Sequence, residues 1–130
     1  MALRCLIVDD NASFRQEVSG LLQEQGLDVV GTAASGEEAL RLIEELQPEI
    51  ALIDIDLGGQ SGLDLVRRVR DGASRPVPEM ILISTHGESE YADLIAASPA
   101  AGFVAKTDLS AAAIDQVLGH ANPSDERRGT

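Results

Sequence analysis

The chain has 130 residues, 44% of them apolar and 25% charged, which is enough for one domain with its own core and excludes a disordered chain. Two Phe, one Tyr and no Trp leave that core aliphatic, and 10 Lys plus Arg against 22 Asp plus Glu give a net charge of -12. A chain this acidic repels phosphate backbones and anionic lipid, which argues against direct binding to nucleic acid or membrane.

The single cysteine, Cys5, cannot form an internal disulfide. The first strand-like run reaches Asp9 too soon for a signal peptide, and no apolar run approaches a membrane span, so a reduced, cytoplasmic setting is expected. Leu3 to Val8 reads as a strand, followed by a helix in which Phe14, Val18, Leu21 and Leu22 fall on one face until Gly26. Leu27 to Thr32 is a second strand. Ser35 with Glu38 forms a capping-box pattern that opens a helix over Glu37 to Leu46, ended by Pro48. Glu49 to Ile55 is a third strand, apolar until Asp54. After a loop containing Gly58, Gly59 and Gly62 come a helix over Leu63 to Val69 and a strand over Met80 to Ser84. Glu90 to Ala97 is helical, Gly102 to Ala105 a fifth strand and Leu109 to Leu118 the last helix, with Asn122 to Thr130 a polar tail.

Five apolar strands alternating with five helices predict an α/β fold: a doubly wound, five-stranded parallel sheet in the flavodoxin-like order 2-1-3-4-5, with helices on both faces. Ligands of such sheets bind beyond the carboxyl ends of the strands. There the sequence carries Asp9 and Asp10 after strand 1, Asp54 and Asp56 at strand 3, Ser84 and Thr85 at strand 4, and Lys106 after strand 5. Asp9, Asp10 and Asn11 could equally serve as a helix N-cap. Asp54, flanked by Leu52, Ile53 and Ile55, is a partly desolvated carboxylate that needs a cation or donors. Gathered carboxylates suit Mg²⁺ and are expected to raise at least one carboxyl pKa through repulsion; scattered Cys and His argue against zinc. Lys106 is the only lysine, the other nine basic residues being Arg, and a flexible point charge suits a phosphoryl oxygen.

The run Leu6-Ile7-Val8-Asp9-Asp10, the strand Ala51-Leu52-Ile53-Asp54, Gly62 eight residues beyond Asp54, Ile83-Ser84 and Gly102-Phe103-Val104-Ala105-Lys106 together resemble the receiver domain of two-component response regulators. That resemblance implies a phosphorylation-controlled switch. Asp54 would accept a phosphoryl group from a sensor histidine kinase or phosphotransfer protein. Mg²⁺ would be held by Asp10, Asp9, Asp54 and the main-chain carbonyl of Asp56. Ser84 and Lys106 would contact the phosphoryl group, and Ser84 and Phe103 would form the switch. The output would be a protein partner or homodimer on the face of helix 4, strand 5 and helix 5.

Departures from the family pattern are Gly58 and Thr107, where Pro is frequent, and Thr85, bulkier than usual. Thr85, His86 and Asp56 flank the approach and would modulate phosphoryl lifetime. Residues 1–119 are expected to form the receiver and 120–130 a tail or linker, leaving open a stand-alone receiver or one cut from a longer regulator. The reading is of a protein that is not a turnover enzyme. Two other readings are a haloacid-dehalogenase-like phosphatase using Asp54-Ile55-Asp56, whose motif order is reversed here, and an interaction module with a vestigial site.

Overall fold

Five parallel strands pair in the order β2-β1-β3-β4-β5, the expected doubly wound sheet. The computed structural model describes residues 3–72, 77–85 and 92–121. In chain order these form β1 (Arg4–Val8), α1 (Ala12–Glu24), β2 (Asp28–Ala33), α2 (Gly36–Leu46), β3 (Ile50–Asp54), α3 (Gly62–Gly72), β4 (Glu79–Ser84), α4 (Ala92–Ala96), β5 (Gly102–Ala105), a 3-10 turn (Lys106–Asp108) and α5 (Ala111–Ala121).

The central strands are apolar on both faces because both faces are covered. Leu6, Val8, Ala51, Ile53, Met80 and Leu82 pack under α2, α3 and α4 through residues such as Ala39, Val66 and Ile95. Cys5, Ile7, Ile50, Leu52, Ile81 and Ile83 pack under α1 and α5 through Val18, Leu22 and Ile114. Burial pushes the Cys5 thiol up to about 12, so it serves as a small apolar core residue.

Local signals account for the starts of α1, α2 and α5. Ser35 Oγ accepts from Glu38 N–H at 3.2 Å, as the capping-box pattern predicts; the return bond from Glu38 reaches Ala34 N–H at 2.8 Å, one residue before the cap. The first helix is capped by Asn11, whose Oδ1 accepts from Phe14 N–H at 3.0 Å. Neither Asp9 nor Asp10 is the cap residue, so both carboxylates are left for other partners. The last helix starts at Ala111 instead of the expected Leu109, because Lys106–Asp108 form a 3-10 turn and Ser110 Oγ accepts from Ala113 N–H at 3.0 Å. Of the helix expected over Glu90 to Ala97, residues 90 and 91 lie outside the described residues, as does the tail from 122 onward.

Gly62 opens α3 at a point of close backbone approach, its N–H bonded to Ile55 C=O at 2.7 Å. A β-carbon there would overlap the carbonyl oxygen of Asp54 and crowd Ile55 Cα. Backbone cannot rotate away as a side chain can. Gly62→Ala is therefore expected to destabilise the protein by about 3 kcal/mol, the upper end of ordinary overpacking. Urea unfolding monitored by far-ultraviolet circular dichroism measures it; a loss below about 0.5 kcal/mol would contradict the packing argument.

Candidate functional site

Strand register brings the expected residues to one edge. Val8 pairs with Ile53, Asp54 with Ile83, and Ser84 with Ala105. Asp9 and Asp54 thus end their strands side by side, Ser84 stands one step beyond Ile83, and Lys106 one step beyond Ala105. Alternation along a strand decides which face each inherits. Asp9, Asp54 and Lys106 have the parity of Ile7, Leu52 and Val104, which face α1 and α5. Ser84 has the parity of Leu82 and Phe103, which face α2, α3 and α4.

Asp9 is fully buried. Its Oδ1 accepts from Asn11 N–H at 2.9 Å, and its carbonyl accepts from Arg15 Nη1 at 2.7 Å. Its Oδ2 lies 2.5 Å from Lys106 Nζ, yet that contact lacks hydrogen-bond geometry and no other partner reaches the atom among the described residues. Charge attraction alone meets a buried carboxylate oxygen that has coordination to spare. Asp10 is exposed at the mouth, and single carboxylate oxygens of Asp9, Asp10 and Asp54 all lie within 4.8 Å of one another. Three hard oxygen donors at that spacing, one of them buried without a hydrogen bond, fit a hard divalent cation.

Asp54 is 5% exposed. Its Oδ1 accepts from Asp56 N–H at 3.1 Å and its Oδ2 accepts from Lys106 Nζ at 3.1 Å. Burial raises its pKa above the ordinary 3.8; the Asp56 N–H and Lys106 oppose the shift, and the Asp9 charge adds to it. Repulsion, the expected cause, is thus secondary to desolvation. For Lys106, burial favours the neutral amine, but Asp9 and Asp54 outweigh it and hold the pKa above 10.5. The lysine is a fixed cation at any physiological pH.

The loop after β3 is shaped around Asp10. Gly58 has φ +61°, and a β-carbon on it would stand 2.5 Å from Asp10 Oδ2. Proline, locked near −65°, could not adopt this backbone, which explains the departure noted at this position. Asp56 is exposed and turns the chain, its Oδ1 accepting from Gly58 N–H at 3.3 Å. Gln60 Oε1 accepts from Gly36 N–H at 2.9 Å and fastens the loop to the start of α2.

The remaining expected residues divide. Ser84 is buried beside the cluster's edge, Thr85 is exposed next to it, and Phe103 is half-buried against the α2–α3–α4 layer. His86 lies outside the described residues. Three residues of α1 and its cap were not expected at the site: Asn11 and Arg15, which hold Asp9, and Phe14, whose ring centroid is 4.4 Å from Lys106 Nζ. The helical stripe marks Phe14 as core, and only its place four residues after Asp10 hints at more.

The family model of the response regulator receiver domain matches residues 5–117. Among curated relatives, the Bacillus subtilis protein-glutamate methylesterase/protein-glutamine glutaminase is 37% identical over 87 residues, 66% of this chain and 24% of that protein. Response regulator GacA of Pseudomonas viridiflava is 32% identical over 105 residues, 80% of this chain and 48% of GacA. The chain thus spans less than half the length of either relative. Among solved structures, the signal receiver domain of Mycobacterium tuberculosis NarL is 31% identical, with a TM-score of 0.76 over 91% of this chain and 98% of that one. These matches set aside the phosphatase reading. Because the family match runs from β1 into α5 and takes in every carboxylate of the cluster together with Ser84 and Lys106, the chain belongs to the response regulator receiver domains, the phosphorylation-controlled units of two-component signalling.

Proposed function

We propose that Asp54 is the phosphoacceptor of this receiver and that its donor is a phosphohistidine on a sensor histidine kinase or phosphotransfer protein. The observation that carries this reading is a nearly buried carboxylate whose oxygen contacts the only lysine at 3.1 Å beside two further aspartates. In the transfer an Asp54 oxygen forms a bond to phosphorus in line with the donor, and the donor's N–P bond breaks with its electron pair returning to the imidazole. Such transfers depend mainly on positioning and charge neutralisation.

Asp10, Asp9, Asp54 and the main-chain carbonyl of Asp56 would hold Mg²⁺, which when bound neutralises charge on the phosphoryl oxygens. Lys106 supplies the protein's own positive charge, and the Ser84 hydroxyl bonds the transferred group. Movement of Ser84 toward that group opens space into which Phe103 turns, which couples β4 and β5 to the adjoining helices. Thr85 and Asp56, both exposed beside the site, modulate the lifetime of the acyl phosphate, together with His86. The domain acts as a timed switch, not as a turnover enzyme, with residues 1–119 as the receiver and 120–130 as tail or linker. Its setting is the cytoplasm and its output a protein partner or a second copy. The face of α4, β5 and α5 is proposed for that contact, supported by half-exposed Leu94 and by a groove of about 380 Å³ lined by Phe103, Ala105, Asp108, Gln116 and Val117.

Intact-mass spectrometry after incubation with acetyl phosphate and Mg²⁺ tests the acceptor. Wild type should gain one phosphoryl group, and Asp54→Asn or a chelated sample should gain none. Equal incorporation in wild type and Asp54→Asn would overturn the assignment.

Stability gives a second test. The folded-state pKa of Asp54 is raised, so just above pH 3.8 the folded protein keeps a proton that the unfolded chain has released. Without metal, stability therefore falls as pH rises from 3.8 through the raised value, and at neutral pH Asp54→Asn should melt higher than wild type. Mg²⁺ at ten times its dissociation constant should stabilise wild type by about 1.4 kcal/mol, and less in Asp10→Asn at the same concentration. Calorimetric melts at fixed ionic strength measure both effects. A wild type indifferent to Mg²⁺, with Asp54→Asn melting lower, would contradict them.

Lys106 is the counterion of two buried carboxylates. Lys106→Met should therefore destabilise the metal-free protein at neutral pH by about 3 kcal/mol, the cost of leaving buried charge uncompensated. Urea titration with and without Mg²⁺ reads it, with a smaller loss expected when the metal is present.

A further inference from the structure

Lys106 is held on three sides by identifiable groups. Asp9 Oδ2 lies 2.5 Å and Asp54 Oδ2 3.1 Å from Nζ, and the Phe14 ring centroid is 4.4 Å away. The lysine side chain is only 12% exposed, so the ring stands where water would otherwise solvate the ammonium. An aromatic face attracts a cation through its quadrupole, and more strongly where water is excluded.

Phe14 is itself held in place by the site. Asp9 Oδ1 accepts from Asn11 N–H, Asn11 Oδ1 accepts from Phe14 N–H, and the Phe14 ring meets Lys106, which returns to Asp9. The circuit links the cap of α1, the end of β1 and the turn after β5. Its aromatic member also packs into the core between the sheet and α1, which fixes the ring's position. A lysine on a four-carbon stem has much rotamer freedom to lose. The carboxylates restrain it only while they remain its partners, and a phosphoryl group on Asp54 replaces one of them.

We propose that Phe14 is a positioning residue for phosphoryl binding: its ring keeps the Lys106 ammonium over Asp54 when the carboxylate contacts are exchanged for the phosphoryl group. This rests on the assignment of Asp54 as acceptor. Leucine at 14 would fill similar volume without an electron-rich face, whereas tyrosine would keep the face.

Because Lys106 is the only lysine, ¹³C-lysine labelling gives a single side-chain probe at the site. In the free protein the Lys106 Hε resonance should lie upfield from ring current in wild type and Phe14→Tyr, and move to the ordinary lysine position in Phe14→Leu. Titration with beryllofluoride and Mg²⁺, a phosphoryl mimic, should give Phe14→Leu an apparent affinity weaker by about 2- to 30-fold, restored in Phe14→Tyr. An unshifted Hε in wild type, wild-type affinity in Phe14→Leu, or equal weakening in Phe14→Tyr would overturn the role of the ring. A wild-type Lys106 signal that beryllofluoride does not move would instead overturn the Asp54 reading, and the free-protein shift would still decide the contact between ring and lysine.

Discussion

Two carboxylates taken out of water next to each other are tolerable only if something positive is taken out with them. In this protein that something is one ammonium group, and much of the site follows from it. Lys106 must arrive at the right height, which the β4–β5 register provides by ending β5 at Ala105 opposite Ser84. It must arrive on the correct face, which strand alternation provides by giving it the parity of Asp9 and Asp54. Its ammonium must also be held where water is largely excluded, and the first turn of α1 offers the face of the Phe14 ring. A net charge of -12 makes the arrangement more demanding, because few other cations are available to share the work.

The balance is deliberately incomplete in electrostatic terms. Among the described residues one ammonium faces two buried carboxylates and a third at the mouth, and the Arg15 guanidinium meets only the Asp9 carbonyl, so acidic groups outnumber basic ones in the cluster. That residual charge suits a divalent cation, which the unbonded Asp9 Oδ2 would have a place to coordinate. The same residual charge would repel a phosphate dianion. A cation and a phosphoryl group bound there would therefore be thermodynamically linked, each improving the site for the other.

The fold was readable because its signals are redundant: β-branched runs, helical stripes and the Ser35–Glu38 cap all point to the same alternation, and right-handed crossovers leave few ways to arrange it. The charged members of the site were readable because strand ends in a parallel sheet must meet along one edge, so Asp9, Asp54 and Lys106 could be placed without knowing a single side-chain contact. What escaped was of another kind. Phe14 satisfies the apolar stripe of α1 fully, and its second use depends on where a lysine ninety-two residues later comes to rest. Arg15 and Asn11 hold Asp9 through side-chain and backbone bonds that leave no periodic trace. The start of α5, two residues later than its apolar stripe predicts, is set by Ser110, a stronger capping signal than the stripe's first member Leu109.

Gly58 carries an implication for how such a sequence can change over time. It is exposed on a loop, where substitution is ordinarily free. Yet its left-handed backbone excludes proline and strains most L-side chains, and a β-carbon there would displace the nearby Asp10 oxygen. A residue that tolerates the left-handed region, as Gln47 does at φ 50°, would fit there only with the exposed Asp10 carboxylate swung aside. Replacement at this glycine would thus act through where Asp10 stands, so a residue with no chemistry of its own helps to set the position of a carboxylate at the mouth of the site.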